Sequence, residues 1–187
     1  EVPESLAATF KWRAGQHLTL RFTIGGEDVR RSYSISSSPV SGDPLRITVK
    51  RVKGGLLSNH INDTVKAGDV IDVMPPFGGF CLDTGATKRR THYFFGAGSG
   101  ITPLHAMLHS IMVAEPHSVA HLAYGNANAD SILLNDSFNA LLEQHPDRLS
   151  VHHVLSAPSM WSGFSYWRKG IVDKAAIAAL IKENPPY

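Results

Sequence analysis

The 187-residue sequence has a single cysteine, Cys81. One thiol excludes an internal disulfide and any iron–sulfur cluster held by four cysteines of this chain. Scarce cysteine fits a reducing, cytoplasmic compartment, and Cys81 reads as a small buried hydrophobe at a strand end. No His-Glu-x-x-His pair and no Ser-His-Asp or Cys-His nucleophile motif occurs. The histidines are scattered, and His152 and His153 are strand neighbours whose side chains point to opposite faces. No metal site is expected. No charge of one sign dominates: 18 Lys and Arg oppose 16 Asp and Glu, for a net +2. The densest basic run, Lys88-Arg89-Arg90, reads as a solvated loop or a docking patch for an acidic redox partner, not as a nucleic-acid footprint. Thr91 to Ala114 lacks Asp, Glu, Lys and Arg, yet Gly96, Gly98, Gly100 and Pro103 interrupt it. It therefore reads as strand, tight turn and helix, and no membrane span is expected. The opening Glu-Val-Pro-Glu-Ser has no signal-peptide pattern.

What remains is an ordinary globular composition, 43% hydrophobic and 18% charged, able to bury a core. The length suits one large domain or two of about 90 residues each. The first half reads as short strands separated by turn residues. Gln16 to Ile24 alternates apolar and polar side chains and ends at Gly25-Gly26, a hairpin signal. Val29 to Ser36 resumes as a strand. Leu45 to Val52 alternates again, with Leu45, Ile47 and Val49 on one face and Arg46, Thr48 and Lys50 on the other. Leu56 to Ile61 makes one or two helical turns, and Val70 to Met74 another strand. This spacing implies a small antiparallel β-barrel.

After Lys88-Arg89-Arg90 the rhythm changes. Strands at His92–Phe95, Val119–Tyr124 and Leu149–Leu155 alternate with helices at Pro103–Ala114, Ser131–Glu143 and Lys174–Lys182. Leu104, Met107, Leu108 and Ile111 form an apolar stripe on the first of these helices. Alternation of this kind implies a parallel sheet covered on both faces. The expected fold is thus two-domain: a barrel over residues 1–86, then an α/β domain over residues 87–187.

Three motifs carry chemistry. Gly96-Ala-Gly-Ser-Gly-Ile-Thr-Pro103 directly follows a strand, so its glycines permit close approach of a pyrophosphate. Thr102 is placed to cap the following helix and Pro103 to begin it, although a tight structural turn remains the alternative. In Arg31-Ser-Tyr-Ser34 the arginine suits a phosphate, and the tyrosine two residues on shares its face of the sheet. An exposed polar strand would look the same. In Lys50 to Ser58, basic residues leave a strand and Gly54-Gly55 opens a helix whose free N–H groups suit a phosphate.

Together these motifs resemble the ferredoxin–NADP reductase-like superfamily. The order Ala14–His17, Arg31–Ser34, Gly55–Ser58, Pro76–Phe80, Gly96–Pro103 and Tyr124–Asn126 follows that family along nearly the whole chain. Within it the chain is most similar to oxygenase-type reductases, such as those serving phenylacetyl-CoA epoxidase and ketosteroid hydroxylases. The resemblance implies an FAD-binding barrel followed by an NAD(P)-binding α/β domain, moving electrons from NADH or NADPH through FAD. The acceptor would be a ferredoxin or a fused 2Fe-2S domain feeding an oxygenase component. Arg31 and Ser32 would meet the FAD pyrophosphate, Tyr33 would stack on the flavin, and Ser34 would lie at its reactive edge. Val49, Lys50 and Arg51 would line the flavin and ribityl chain, with Gly55, Leu56, Leu57 and Ser58 closing on the pyrophosphate. Gly96, Gly98, Gly100, Ile101 and Pro103 would carry the NAD(P) pyrophosphate, and Thr102 would face the flavin. Tyr124, Gly125, Asn126 and Ser156 would border the nucleotide. Tyr33, Ser34 and Thr102 would act catalytically by orienting the flavin rather than by exchanging protons.

Several positions depart from the family pattern. Ala127 stands where many relatives have an arginine for the NADP 2′-phosphate, leaving Asn128 or Asp130 to meet a bare ribose hydroxyl. Lys169-Gly170-Ile171 replaces a common Gly-Arg-Ile. The family's first barrel strand, its last nucleotide-domain strand and a 2Fe-2S domain are not represented, so the sequence is expected to be an internal piece of a longer protein. Two other readings stay open: a flavin-binding module without turnover, and a diffusible NAD(P)H:flavin reductase.

Overall fold

The computed structural model describes residues 1–159 and 167–186. A hairpin of β1 (His17–Ile24) and β2 (Glu27–Ser34) dominates the first half. Its turn is Gly25-Gly26, at φ +60° and +85°. Two consecutive positive φ angles match the strand twist but disfavour side chains, which explains the glycine pair. A short β3 (Asp72–Val73) joins the other edge of β1, giving the antiparallel order β2-β1-β3. Leu18, Leu20 and Ile35 are buried beneath it, with Trp12, Phe22, Tyr33, Ile47 and Ile61 packed around them.

The expected strand over Leu45–Val52 forms no regular ladder. It makes a single bridge, Ile35 to Ile47. Side chains take its backbone groups instead: Arg46 N donates to Ser37 Oγ at 2.9 Å, and Val52 N to Ser58 Oγ at 3.4 Å. Serine hydroxyls compete with sheet pairing in this way. Helix α1 (Leu56–Thr64) starts where expected and runs further, with Leu57 and Ser58 buried. Cys81 lies half-buried in a loop, not at a strand end, and its thiol donates to Gly78 O at 3.3 Å.

The second half alternates β4 (Thr91–Ala97), α2 (Ile101–Ala114), β5 (Val119–Asn126), α3 (Asn135–Gln144), β6 (Leu149–Leu155), β7 (Arg168–Lys169) and α4 (Lys174–Glu183). The sheet is parallel, in the order β4-β5-β6-β7. Every residue of β5 except His121 is buried, as both faces are covered. Ala120, Leu122 and Tyr124 pack beneath α2 and α3 with Leu104, Met107, Leu108, Ile111, Phe138 and Leu141. Each such fully buried aliphatic side chain contributes about 1.5–3 kcal/mol. On the other face α4 lies over β5, and the Tyr93 hydroxyl donates to Asn184 O at its end.

Helix α3 begins at Asn135 rather than Ser131. Asn128 and Ser131 cap each other's backbone N–H around a separate 3-10 turn, and Leu134 then takes φ +59°. Strand β7 extends the sheet through a short segment that periodicity did not reveal. Thr102 and Pro103 sit two positions further into α2 than expected: Gly100 is the N-cap, and Thr102 Oγ1 donates to Ser99 O at 3.0 Å instead of capping. Lys88 and Arg90 are engaged internally, with Asp83 O and Glu115 respectively, which reduces the basic run as a docking patch. Among the described residues, no helix is long and apolar enough to cross a membrane, and no group of three or more His, Cys, Asp or Glu residues could hold a metal ion.

Candidate functional site

The two halves meet along one face of α2. Ala14 of the first half joins the α2 core cluster, Leu82 of the same half packs against it, and Ser38 Oγ and Ser110 Oγ are 2.9 Å apart. Above this contact opens a cleft of about 580 Å³, within the range of small-molecule sites. Its first wall is the end of β2, where Arg31, Ser32, Tyr33 and Ser34 all reach it. The register pairs Arg31 with Leu20 and Tyr33 with Leu18, both core residues, so the row that is apolar within the sheet becomes a cation and an aromatic ring at its open end. Burial pushes the Tyr33 phenol up, outweighing the pull of Arg31, so the ring stays neutral.

Thr48, Lys50 and Val52 form a second wall. Val49 and Arg51 do not line the cleft, and Arg51 instead pairs with Asp63 at 2.7 Å. Alternation explains the division, because residues two apart share a side. The same period could have selected Thr48, which the sequence reading missed; Val52, Gly54 and Ser99 lay within its motifs without being singled out as contacts.

The floor is Gly54 to Ser58 at the start of α1. Gly55 is the N-cap and no side chain caps the helix, so its first N–H groups are available to a ligand. A Cβ on Gly55 would lie 2.5 Å from Ser58 Oγ, so only glycine fits here without displacing that hydroxyl. Ser99 and Thr102 of the second half complete the cleft. Its lining includes two cations, Arg31 and Lys50, and no carboxylate. Such a lining favours an anionic ligand.

The remaining sequence-derived residues cluster at the C-terminal ends of β4, β5 and β6 but outside this cleft. Their roles differ. A Cβ on Gly96 would lie 2.8 Å from Leu104 Cδ1, making it a packing glycine, and Gly98 takes φ +51°. Nothing lies within 4 Å of a Cβ built on Gly100, which leaves open space above the N-terminus of α2. Ile101 is fully buried in the core and Pro103 half-buried in the first turn of α2. Tyr124 is also fully buried; its hydroxyl accepts from Leu133 N at 3.1 Å and lies 3.3 Å from Gly98 O, bracing the glycine turn. Gly125 packs under Val172. Asn126 is buried, and among the described residues neither end of its amide has a hydrogen-bond partner of normal geometry; Ser156, exposed, donates its N–H to Asn126 O at 3.0 Å. An orphaned amide at the C-terminal edge of a parallel sheet is a place for a ligand's polar edge.

Comparison with known proteins accords with this geometry. Residues 4–81 match the oxidoreductase FAD-binding domain, and residues 94–185 the oxidoreductase NAD-binding domain. The chain belongs to the ferredoxin–NADP reductase-like oxidoreductases. It is 32% identical over 167 residues to a component of 1,2-phenylacetyl-CoA epoxidase from Escherichia coli (strain K12), covering 89% of this chain and 47% of that protein. It is 38% identical over 159 residues to the ferredoxin reductase component of 3-ketosteroid-9-alpha-monooxygenase from Rhodococcus rhodochrous, covering 83% of this chain and 44% of that one. Among solved structures, Amycolatopsis cytochrome P450 reductase GcoB aligns with a TM-score of 0.75 at 25% identity, over 93% of this chain and 50% of that one. The CS-b5R domains of human Ncb5or, in the NAD+ form, align with a TM-score of 0.76 at 26% identity, over 92% and 50%. The chain thus spans about half the length of these relatives.

The residues present fit the cofactors of this family. The cation pair and the uncapped α1 N-terminus suit the pyrophosphate of FAD, and the Tyr33 ring suits its flavin. The open Gly100 corner and the orphaned Asn126 amide suit a second dinucleotide on the α/β side.

Proposed function

We propose that this chain is the flavin core of a reductase that passes electrons from a nicotinamide dinucleotide through FAD to a ferredoxin or fused 2Fe-2S domain feeding an oxygenase. The observation that carries this reading is the cleft itself, because both domains build it and its charged lining is purely cationic. The chemistry FAD supplies when bound is acceptance of a hydride and release of electrons one at a time. The chain's residues bind and orient. Arg31, with the N–H groups opening α1, would hold the pyrophosphate with the Ser58 hydroxyl beside it, while Ser32, whose hydroxyl pairs with Thr19 Oγ1 at 2.9 Å, would contribute backbone. Tyr33 offers a neutral ring face and Ser34 a hydroxyl at the ring edge. Lys50 neutralises the phosphate end, with Leu56 and Leu57 covering it. Thr102 spends its hydroxyl proton on Ser99 O, so toward the cleft it can only accept a hydrogen bond. No acid or base is needed, in keeping with orientation as the main contribution to rate.

On the α/β side, Gly98, Gly100 and the α2 N-terminus would receive the nicotinamide dinucleotide's pyrophosphate, with Asn126 and Ser156 at its border. The turn after β5 offers Ala127, Asn128 and Asp130 and no cation, and the Asn128 side chain is already engaged with Ser131 N. This favours the bare ribose of NADH over the 2′-phosphate of NADPH. The working division is residues 1–86 for FAD and 87–187 for the nicotinamide dinucleotide. The single thiol suits a reducing, cytoplasmic setting.

Purification with FAD, followed by NADH and ferricyanide, tests the reading. Yellow protein that reduces ferricyanide supports it. Yellow but inert protein makes the chain a flavin-binding module, and colourless protein that consumes added flavin makes it a diffusible flavin reductase.

A further inference from the structure

His105 lies one turn into α2 from Thr102 and is only 6% exposed. Its ring bridges three elements. Nδ1 is 2.8 Å from Ser36 O, just beyond β2, and Nε2 is 2.7 Å from Ser137 Oγ on α3. A carbonyl only accepts, so Nδ1 carries the proton, and Nε2 accepts from the serine hydroxyl. Ser36 is tied onward to the cleft wall, its Oγ 2.9 Å from Thr48 Oγ1 and its N–H on Arg46 O at 2.8 Å. One imidazole therefore links the helix that carries Thr102 to the segment that carries Ser34 and to Thr48. Other contacts along this face, Ser38 with Ser110 and Asp43 with His109, lie further down α2, away from the cleft.

We propose that His105 is a positioning residue for electron transfer, whose Nδ1–H bond to the Ser36 carbonyl sets the separation of the Thr102 side of the cleft from the walls formed by β2 and Thr48. The inference rests on the proposed reductase reading. The ring sits edge-on to Phe138 at 5.0 Å and in an edge arrangement with His109 at 6.2 Å, and Asp43 and Arg46 are the other charges that act on it. Burial keeps it neutral by pushing its pKa below the usual imidazole range, which the Ser36 bond only partly offsets. Being neutral, it can accept from Ser137 while donating to Ser36.

Asparagine places an amide nitrogen where Nδ1 stands, whereas glutamine places one where Nε2 stands. His105→Asn can therefore keep the Ser36 bond, and His105→Gln loses it while filling a similar volume. Single-turnover reduction of FAD-loaded protein by NADH should fall about tenfold or more in His105→Gln and within about threefold of wild type in His105→Asn, with FAD content unchanged in both. Equal losses in the two variants, or none in His105→Gln, would overturn the proposal. Two readouts stand without cofactor. Long-range proton–nitrogen spectra should place the His105 proton on Nδ1, and amide exchange at Thr48 and Thr102 should quicken in His105→Gln alone. A proton on Nε2, or unchanged exchange, sinks the inference, whereas a wild type that takes up no FAD defeats only the reductase reading.

Discussion

Arg90 donates to the carboxylate of Glu115, whose side chain has no exposed surface. His92 and Ser118 reach the same group at 3.2 and 2.7 Å. Burial alone would raise the Glu115 pKa, but Arg90, Ser118 and His92 together outweigh it and hold the carboxyl below its ordinary value. Glu115→Ala removes the carboxylate that Arg90, Ser118 and His92 share, leaving Arg90 only the Asp83 carbonyl and Ser118 a longer contact to Lys88 O. It should cost about 3 kcal/mol in urea unfolding, the low end for a broken buried pair because Arg90 is partly solvated. A loss below about 1 kcal/mol would show that the network contributes little.

Acid should destabilise the fold at mild pH. Burial pushes His92, His105, His109, His121, His145, His152 and His153 below the usual imidazole range. A histidine with a depressed folded pKa binds its proton more readily when unfolded, so stability is full above about pH 6.5 and declines as pH falls toward the folded values. Glu115 adds a second decline below the ordinary carboxylate range. The melting temperature should therefore drop between about pH 7.5 and 5.5. A flat profile over that window contradicts the burial of these rings.

The glycines of the turn after β4 should separate by role. Gly96→Ala meets Leu104 at 2.8 Å and should cost about 1–3 kcal/mol of stability. Gly100→Ala meets nothing at helical φ −63°, so stability should hold or rise by about 0.4–1 kcal/mol while NADH binding weakens. Thermal melts with NADH titrations distinguish the two. Equal behaviour would refute the division.

Much of this was legible in the sequence because it rests on periodicity and turn chemistry. Gly25-Gly26, the Leu104–Ile111 stripe and the alternating second half all follow local rules, and the structure has the corresponding elements. The motif residues at Arg31–Ser34 and Gly55–Ser58 do come together in one cleft. What escaped was decided by side chains capturing backbone groups. Ser37 and Ser58 take the N–H groups that would have paired Leu45–Val52 as a strand, and Asn128 with Ser131 delays α3. Thr48 was missed although alternation already placed it beside Lys50. The tie from His105 to Ser36 joins residues far apart in sequence, and no local pattern marks it.

Cofactor choice should be reversible at one position. Ala127 is exposed beside Asn126, and Ala127→Arg would supply the missing cation for a 2′-phosphate. The dissociation constant for NADPH should tighten by about tenfold with little change for NADH. Parallel tightening for both nucleotides would mean that Ala127 does not lie at the ribose.

The most direct measurement is equilibrium titration of the purified chain with FAD, followed by calorimetry and the visible absorption band. The account predicts one FAD per chain in the cleft, and loss of that binding in Arg31→Ala while the α/β half keeps its melting transition. No saturable binding by the wild type, or unaltered binding by Arg31→Ala, would contradict it.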